Sequence, residues 1–267
     1  MPGKHRSNGL LIGKKKSYWI RFPVALALAA SMFAVLSSHY ATNAYAEDTQ
    51  CGSSQTGNYH DGIQTTPSGS DVFEGISAQI LNEASSVCDS VTGPGKGNYA
   101  AAYTMATDGS AYIQTGFTSW YNSGGQHFFG QISDPYDSYG HTSYSTNTIA
   151  NGLTTHYWEE YRTVCSCIQG LVNGDVYVST HEDPTIYWGQ IVGQWSAETY
   201  YPGSDVPGYS TSKVHFSGLE TQDLSNNWNS KLDTTSSYND QASDWSQSAI
   251  TSGNGLGYEW HEWTAAA

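Results

Sequence analysis

Basic side chains are scarce once the first 46 residues are set aside. Six of the ten Lys and Arg residues lie in residues 1–46, which contain none of the 24 Asp and Glu residues. Residues 47–267 therefore carry four basic and 24 acidic side chains, a net charge near −20. A surface with this charge repels nucleic acids and anionic membranes, so neither is expected as a partner. The charge suits an acidic medium, where many carboxylates are protonated, and equally suits ordinary solubility.

Several catalytic signatures are missing from the chain. It has no Gly-x-Ser-x-Gly elbow, no glycine-rich phosphate loop, no His-Glu-x-x-His motif, and neither Asp-Thr-Gly nor Asp-Ser-Gly. These absences argue against the common serine hydrolases, nucleotide-binding enzymes, zinc peptidases and pepsin-type peptidases. The cluster His181-Glu182-Asp183 precedes Pro184 in a segment with the composition of a loop. We therefore predict no metal site and no cofactor.

A secretory signal accounts for the beginning of the chain. Lys14-Lys15-Lys16 and Arg21 precede an apolar run over residues 24–36, and Ala44-Tyr45-Ala46 provides a small-x-small cleavage site. The apolar run is shorter than a comfortable membrane span. Cleavage after Ala46 predicts a secreted, extracellular chain of 221 residues, which is enough for one substantial domain.

Four cysteines follow the predicted cleavage site: Cys51, Cys88, Cys165 and Cys167. An even number of cysteines in an exported chain predicts disulfides. Pairing Cys51 with Cys88 leaves Cys165 and Cys167 to form a tight ring with each other, and cross-pairing is equally compatible with the sequence. A cysteine metal site is the weaker alternative, because no His stands at ligand spacing beside the Cys-x-Cys segment.

Short alternating segments separated by turn residues dominate the chain after residue 97. They predict strands over residues 99–105, 111–117, 127–132, 155–164, 175–179, 191–200 and 213–216. Asn173-Gly174 is the strongest hairpin signal among the turns. Long helical patterns are absent, and Tyr and Trp are abundant. The sequence therefore predicts an all-β fold, an antiparallel sandwich or barrel.

The flanking regions are less regular. Residues 47–70 are rich in Gly, Ser and Thr and predict a loosely held start with one strand near residues 58–63. Residues 71–221 form the predicted sandwich domain. Residues 222–267 are a polar extension, expected to pack on the same domain, with a last strand or an adhesive tail at 258–263. Residues 71–88 are ambiguous: Asp71 and Glu74 fit a helix capping box, whereas Ile76, Ala78 and Ile80 alternate as in a strand.

Two alternating stretches present polar side chains on one face of a strand. In residues 111–120, Tyr112 and Gln114 share one face, while Ile113 and Phe117 share the other. The stretch Gln194-Trp195-Ser196-Ala197-Glu198 repeats this alternation, and Glu198 follows Gln114 by 84 residues. A glutamine on an open strand face usually contacts only solvent. Gln114 becomes a candidate site residue if its side chain meets that of Glu198.

Both stretches resemble a known family. Ile113-Gln114-Thr115-Gly116-Phe117 resembles the Leu-Gln-Thr-Gly-Val segment that carries the catalytic glutamine of the eqolisin family of glutamic peptidases. Trp195-Ser196-Ala197-Glu198 is similar to the Trp-x-x-Glu segment of that family, which ends in the catalytic glutamate, and the order and separation of the segments also agree. Residues 73–80 and 213–216 resemble further family strands, which favours a strand over a helix at 73–80.

The chain also differs from the family at identifiable positions. Gln131 stands near an aromatic run where the family often has Glu, and Thr118 stands where an Asp is usual. The related plant-type neprosin peptidases carry Glu at the position of Gln114, so this chain follows the Gln/Glu pattern of the eqolisins as a divergent member.

The resemblance implies a concanavalin-like sandwich of two seven-stranded sheets. It places Gln114 and Glu198 on neighbouring strands of one concave face, where they share a water. Glu198 would act as general base and then return the proton to the leaving amine. The Gln114 amide would position the water and donate to the developing oxyanion. The implied activity is that of a secreted, acid-acting endopeptidase that needs neither a metal nor a covalent intermediate.

Further residues are expected to bind the substrate, a protein or peptide, on the same face of a monomer. These substrate-binding candidates are Tyr112, Trp120, Gln131, Gln194, Ser196 and Tyr200. Trp195 and Ala197, which alternate with them, are expected to point into the core.

Two other functions fit the same pattern. Aromatic side chains on a concave sheet also bind sugars, and a retaining glycosidase needs two carboxylates about 5 Å apart. Glu198 together with Glu159 or Glu160 would supply such a pair. The second alternative is a non-catalytic binding module with the same sandwich fold.

Overall fold

Two large β-sheets packed face to face make up the described part of the protein, which we analysed as a computed structural model. It describes residues 59–68, 73–83, 85, 87, 99–120, 123–136, 138–199, 207–209, 212–230, 232, 234–239, 245–252 and 258–264. The predicted signal segment, Cys51, Cys88 and Tyr200 lie outside the described residues.

The described strands are numbered in chain order. They are β1 (Tyr59–Thr66), β2 (Phe73–Asn82), β3 (Tyr99–Thr107), β4 (Tyr112–Trp120), β5 (His127–Asp134), β6 (Tyr139–Tyr144), β7 (Leu153–Arg162), β8 (Cys167–Val172) and β9 (Asp175–Ser179). After the short helix α1 (Pro184–Tyr187) follow β10 (Val192–Thr199), β11 (Gly208–Tyr209), β12 (Ser212–Asp223), β13 (Trp228–Asn229), β14 (Thr234–Asn239), β15 (Trp245–Gln247), β16 (Thr251–Ser252) and β17 (Tyr258–Thr264).

Sheet A contains seven antiparallel strands in the order β14-β1-β10-β3-β4-β5-β6. Sheet B contains ten strands, with the main order β15-β17-β11-β12-β2-β7-β8-β9, while β13 pairs with β12 and β16 pairs with β17. Its pairings are antiparallel except for one parallel bridge between Tyr209 and Thr264. The predicted all-β antiparallel sandwich of two large sheets is therefore confirmed, although sheet B exceeds the seven strands that the family resemblance implied.

The two ends of the sandwich differ from the sequence-based division at residues 71 and 221. Strand β1 lies inside sheet A between β10 and β14, so residues 59–66 belong to the sandwich and not to a loose start. Strand β12 runs across residue 221, and β14 and β17 pair within sheets A and B. Strand pairing, which depends on partners distant in sequence, decides where these segments lie.

The space between the sheets is filled by the apolar sides of their strands. Ile113 and Phe117 of β4 are buried there, as are Trp195 and Ala197 of β10. The Trp195 indole Nε1 donates to the Ser77 carbonyl oxygen of sheet B at 2.9 Å. The alternation in these two strands therefore directs their odd-numbered side chains to the core, as the sequence predicts.

Residues 73–82 form a strand, so the helical alternative for this segment is wrong. Ile76, Ala78 and Ile80 are fully buried, but Glu74 and Ser77 are buried as well. The segment is β2, which lies between β12 and β7 in sheet B. Burial of both faces explains why its sequence lacks a clean two-residue period.

The hairpin at Asn173-Gly174 forms as predicted. Both residues have positive φ, 52° and 97°, and they connect β8 to β9. Positive φ at two consecutive turn residues matches the right-handed twist of the flanking strands, and Asn-Gly adopts it at low cost. At the other end of β8, Cys165 and Cys167 form a disulfide with each other.

Candidate active site

The face of sheet A that points away from sheet B carries the predicted site and is called the groove face. On β4 it presents Tyr112, Gln114, Gly116, Thr118 and Trp120, which alternate with the core residues. Two adjoining cavities of about 110 and 550 Å³ lie on this face. Both are lined by Tyr99, Gln114, Gln131 and Glu198. The structure thus brings Gln114 and Glu198 into one groove.

Gln114 and Glu198 do not lie on neighbouring strands. Strand β3 separates β4 from β10, so the expectation of adjacent strands is wrong. Gln114 is level with Met105 of β3, whereas Glu198 is level with Ala101, which lies four residues before Met105 in that strand. This register offsets their Cα atoms by about 10 Å across the sheet and about 13 Å along the strands. The two side chains face the same groove from opposite sides.

Gln114 is held by a second amide. Its Nε2 donates to Gln131 Oε1 of β5 at 2.9 Å, and only 6% of Gln114 is exposed. A glutamine amide has two N–H groups and one carbonyl oxygen. The contact with Gln131 uses one N–H and leaves the second N–H and the oxygen for a ligand in the cavities. Gln131 thus orients the predicted catalytic glutamine.

Glu198 is enclosed by polar side chains of β3 and β1. The hydroxyl of Tyr99 on β3 donates a hydrogen bond to it, and Tyr103, also on β3, lines the same cavity beside it. His60 of β1 places its Nε2 3.8 Å from Glu198 Oε2. Burial raises the pKa of Glu198 above its ordinary value of 4.5, while the His60 charge and the hydroxyls of Tyr99 and Tyr103 offset part of the rise. A carboxyl group in this state releases its proton at higher pH than an exposed glutamate does, which suits a general acid–base group.

The two tyrosines remain neutral over the pH range in which Glu198 titrates. Burial, with the nearby Glu198 charge as the second cause, raises the pKa of Tyr99 well above 10. The same two causes raise the pKa of Tyr103. Both hydroxyl groups therefore stay protonated, and that of Tyr99 keeps donating to Glu198 when it ionises.

Glycines make room for the tyrosine rings on the groove face. A Cβ added to Gly116 would lie 2.7 Å from Tyr103 Cβ, and one added to Gly62 would lie 2.6 Å from the Tyr238 hydroxyl. The rings of Tyr103 and Phe129, which stand on either side of Gly116, meet edge to face with centroids 6.4 Å apart. The Gly116 of the Gln-Thr-Gly motif is thus required by the packing of Tyr103 beside Glu198.

Most of the substrate-binding candidates line the groove. Tyr112 and Gln194 line the larger cavity, Trp120 lines the smaller one, and Gln131 lines both. Ser196 is the exception, because it is fully buried and its Oγ bonds to the Asp61 carbonyl oxygen at 2.9 Å. Ser196 shares the groove-face alternation but cannot contact a substrate, so this expectation is wrong. Tyr200 stays a prediction.

Several groove residues were not singled out from the sequence. They are His60, Gln64, Tyr99, Tyr103, Met105 and Tyr238. Tyr99, Tyr103 and Met105 follow the two-residue period of β3, so alternation in that predicted strand was the available signal. His60, Gln64 and Tyr238 lie in segments whose membership of the sheet depends on long-range pairing.

Neither carboxylate proposed as a glycosidase partner lies in the groove. Glu159 is fully buried between the sheets, where its Oε1 accepts hydrogen bonds from Thr115 Oγ1 at 2.6 Å and Thr104 Oγ1 at 3.1 Å. Glu160 pairs with Arg162 on β7. Among the residues that line the two cavities, Glu198 is the single carboxylate. The prediction that Glu159 or Glu160 pairs with Glu198 is therefore wrong.

The cluster at residues 181–183 has structural contacts. Asp183 caps α1 by accepting from the Thr185 backbone N–H at 3.0 Å, and the His181 ring stacks on Tyr139. Within the described ranges, no group of three or more His, Cys, Asp or Glu is placed to hold a metal ion. The described residues also include no helix that is long and apolar enough to cross a membrane.

Comparison with known proteins gives structural likeness alone. No family model and no curated protein matches the chain. A non-specific endo-β-1,3(4)-glucanase of family GH16, SCLam, is 14% identical with a TM-score of 0.33, over 50% of this chain and 51% of the glucanase. The chain thus spans about half the length of that enzyme.

Two further solved structures show a similar degree of likeness. The catalytic domain of an endo-1,3-β-glucanase from Thermotoga petrophila has 9% identity and a TM-score of 0.32, over 75% of this chain and 76% of that domain. A pentraxin from Limulus polyphemus has 11% identity and a TM-score of 0.30, over 61% of this chain and 71% of the pentraxin. Likenesses at these scores carry no argument for a shared activity.

Proposed function

We propose that this protein is a secreted endopeptidase of the glutamic type that acts in mildly acidic solution on protein or peptide substrates. The observation that carries the proposal is the state of Glu198. It is the single carboxylate lining the groove cavities, it is buried, and the Tyr99 hydroxyl hydrogen-bonds to it. Such a group suits proton transfer to and from a bound water.

The reaction needs only water and the peptide. Ionised Glu198 removes a proton from a water, whose oxygen attacks the carbonyl carbon of the substrate. The second Gln114 N–H, which Gln131 leaves unused, donates to the carbonyl oxygen as it becomes negative. Protonated Glu198 then gives its proton to the amide nitrogen as the C–N bond breaks. The products are a carboxylic acid and an amine, and Glu198 is ionised again.

The position of the two residues sets where the substrate lies. Because β3 separates them, the reacting peptide bond is placed above Tyr103 and Gly116, between Glu198 and Gln114. This arrangement differs from the one that the resemblance implied, in which Gln114 and Glu198 are adjacent and share one water. The peptide itself bridges the groove.

The pH range follows from two opposite effects. The raised pKa of Glu198 means that its ionised form accumulates above pH 4.5, so the rate rises over that range. Burial also raises the pKa of Glu159 in the core, so the folded state is favoured by its protonation and loses stability as pH rises. An optimum in mildly acidic solution is expected between these effects.

The test is a proteolysis assay on the protein expressed from its full-length gene. Unfolded casein should be cleaved between pH 4 and 7, and pepstatin, serine-directed fluorophosphonates and chelators should not inhibit the cleavage. Glu198→Gln should lower the rate by at least about a thousandfold, within the usual range for a general acid–base group. The exposed Glu182→Gln variant serves as the matched control and should keep full activity. Cleavage that survives Glu198→Gln would overturn the proposal.

A carbohydrate-binding groove is the second candidate, supported by its aromatic lining. Trp120 packs edge to face with Tyr144, with ring centroids 5.7 Å apart, and both line the smaller cavity. Aromatic rings on a sheet provide apolar faces for sugar rings as well as for peptide side chains. Glycoside hydrolysis by a carboxylate pair is not favoured, since the cavity lining provides only Glu198. Binding of a soluble β-glucan without any proteolysis would support this second candidate.

A further inference from the structure

Four glutamines stand at one level across sheet A. Gln131 of β5 pairs in register with Gln114 of β4, and Gln194 of β10 pairs with Gln64 of β1. Met105 of β3 is level with Gln114 on one side and Gln194 on the other. Residues directly opposite each other in antiparallel strands project from the same face. We call Gln131, Gln114, Gln194 and Gln64 the glutamine row.

Hydrogen bonds fix the amides of the row in two pairs. Gln114 Nε2 donates to Gln131 Oε1, and Gln194 Nε2 donates to Gln64 Oε1, each at 2.9 Å. The Tyr238 hydroxyl donates to Gln194 Oε1 at 3.4 Å. Each pair leaves N–H and carbonyl groups directed at the larger cavity, which all four glutamines line. The orientation of these groups is therefore set before a ligand binds.

The groove around the row carries little charge. Among the residues lining the larger cavity, Glu198 and His60 are the acidic and basic side chains, and they stand at another level of the sheet. The chain after the predicted cleavage site has a net charge near −20, so its field disfavours an anionic ligand. A ligand of the row is therefore not anionic where it contacts the amides.

The distance from the row to Glu198 matches a short peptide segment. Gln194 and Glu198 are both on β10, four residues apart, which corresponds to about 13 Å along the strand. The cleaved bond is placed above Tyr103, which is level with Ser196, so an extended polypeptide reaches the level of Gln194 from that bond with about two residues. Each of those residues offers one N–H and one C=O, which is the complement of a fixed side-chain amide.

We propose that the Gln64–Gln194 pair of the glutamine row is a binding subsite for the extended backbone of a polypeptide substrate, about two residues from the bond that is cleaved, while Gln114 of the same row contacts that bond itself. This inference rests on the proposed function, since it assigns the subsite to the same groove. It makes the pair a determinant of substrate length and of preference for segments without negative charge. The alternative without a binding role is that the amides of each pair only satisfy each other's hydrogen bonds on a polar sheet surface.

Peptide length provides the test. The substrates are uncharged, end-blocked peptides of about four, six, eight and ten residues, each with one cleavable bond at the centre. Their kcat/KM values are measured with the protein expressed from its full-length gene. We expect kcat/KM to rise about tenfold once the peptide reaches about six residues, because two hydrogen bonds at about 0.5–1.5 kcal/mol each then form. Gln194→Met and Gln64→Met, which remove the amide but keep the bulk, should abolish that rise. The exposed Gln190→Met variant is the control and should keep it.

Binding to a variant without Glu198 separates the two proposals. The same peptides are titrated by calorimetry into Glu198→Gln and into Glu198→Gln combined with Gln194→Met. If the Kd decreases about tenfold with peptide length in Glu198→Gln but not in the double variant, the subsite is supported. This result would stand even if the wild type cleaves nothing and the peptidase proposal fails. The subsite is overturned, while the peptidase proposal is retained, by either of two results. Either the wild type cleaves peptides of all lengths equally well, or the length dependence persists in Gln194→Met. Binding of uncharged oligosaccharides in place of peptides, lost in Gln194→Met, also overturns it.

Discussion

The Tyr99 hydroxyl hydrogen-bonds to the Glu198 carboxylate across neighbouring strands of sheet A. Tyr99 is partly buried at the junction of the two cavities, and both residues line each of them. The contact stabilises the ionised carboxylate and so lowers the pKa of Glu198 against the larger effect of burial, which raises it. Tyr99 is therefore a positioning residue that acts through Glu198.

Tyr99→Phe should raise the pKa of Glu198 further, because the ionised carboxylate loses a donor while its burial remains. The acid limb of the pH–rate profile should move to higher pH, with kcat/KM at pH 5 falling about tenfold, the equivalent of about 1.4 kcal/mol of a charge-assisted hydrogen bond. At pH 7 the loss should be smaller.

The measurement is a pH–rate profile of Tyr99→Phe beside wild type, together with ¹³C NMR titration of labelled glutamate carboxyls. Tyr136→Phe, at an exposed tyrosine outside the groove, is the control and should leave the acid limb in place. An equal loss of rate at every pH would show that Tyr99 does not act through the ionisation of Glu198.

Glu159 should make the protein less stable as pH rises. Burial raises its pKa well above 4.5, and its Oε2 has no hydrogen-bond partner among the described residues. Between pH 4.5 and the folded-state pKa, the folded protein binds more protons than the unfolded chain, so the free energy of unfolding falls as pH increases. Burial also raises the pKa of Glu74, Glu83 and Glu198, which adds to the same loss of stability with rising pH.

Glu159→Gln should remove its share of this dependence. At pH 7 the variant should unfold at higher denaturant concentration than wild type, by about 1.4 kcal/mol for each unit by which burial raises the pKa. At pH 4 the two should be nearly equal, since the carboxyl is then neutral in both states. Urea unfolding followed by tryptophan fluorescence at the two pH values measures the difference. A wild type that becomes more stable between pH 4.5 and 7, with Glu159→Gln following the same curve, would contradict the assignment.

Gly116→Ala should damage both the fold and the site. The added Cβ would lie 2.1 Å from the Ala102 carbonyl oxygen and 2.7 Å from Tyr103 Cβ, so the backbone of β3 or the Tyr103 side chain must move. We expect a loss of about 1–3 kcal/mol in unfolding free energy, the usual cost of overpacking. Because Tyr103 lines the larger cavity together with Glu198, activity should fall in the fraction that remains folded.

Gly140→Ala is the matched control in the same sheet. Its nearest neighbour would be the Ile132 carbonyl oxygen at 3.8 Å, an ordinary contact. Stability should be unchanged or raised by up to about 1 kcal/mol, because alanine restricts the unfolded chain. Equal effects of the two substitutions in thermal unfolding would show that Tyr103 does not require Gly116.

Short alternating segments were sufficient to predict an antiparallel all-β fold, and the alternation in β4 and β10 was sufficient to predict the facing of Gln114 and Glu198. A two-residue period reports which side of a strand is buried, and this information is local. It does not report strand order, so it could not show that β3 separates the two strands. It also could not show that Ser196 is fully buried, although Ser196 alternates in step with the groove-face residues of β10.

Glu159 illustrates a second limit of the sequence. An ionisable residue in a predicted strand is normally assigned to an exposed or functional face, yet Glu159 lies in the core, where it bonds to Thr104 and Thr115 of the opposite sheet. Those partners are distant in sequence, and only the packing of sheets A and B brings them together. The same holds for His60 and Tyr238, which reach the groove through pairings of β1 and β14.

The most direct test of the central claim is a single comparison of casein cleavage at pH 5 by wild type, Glu198→Gln and Gln114→Met. Glu198→Gln keeps the shape and hydrogen-bonding atoms of the side chain but cannot take or give a proton. Our account predicts cleavage by wild type, a loss of at least about a thousandfold in Glu198→Gln, and a loss of about a hundredfold or more in Gln114→Met, which removes the oxyanion donor. All three proteins should give the same urea midpoint within error at pH 4. Undiminished cleavage by folded Glu198→Gln would contradict the account.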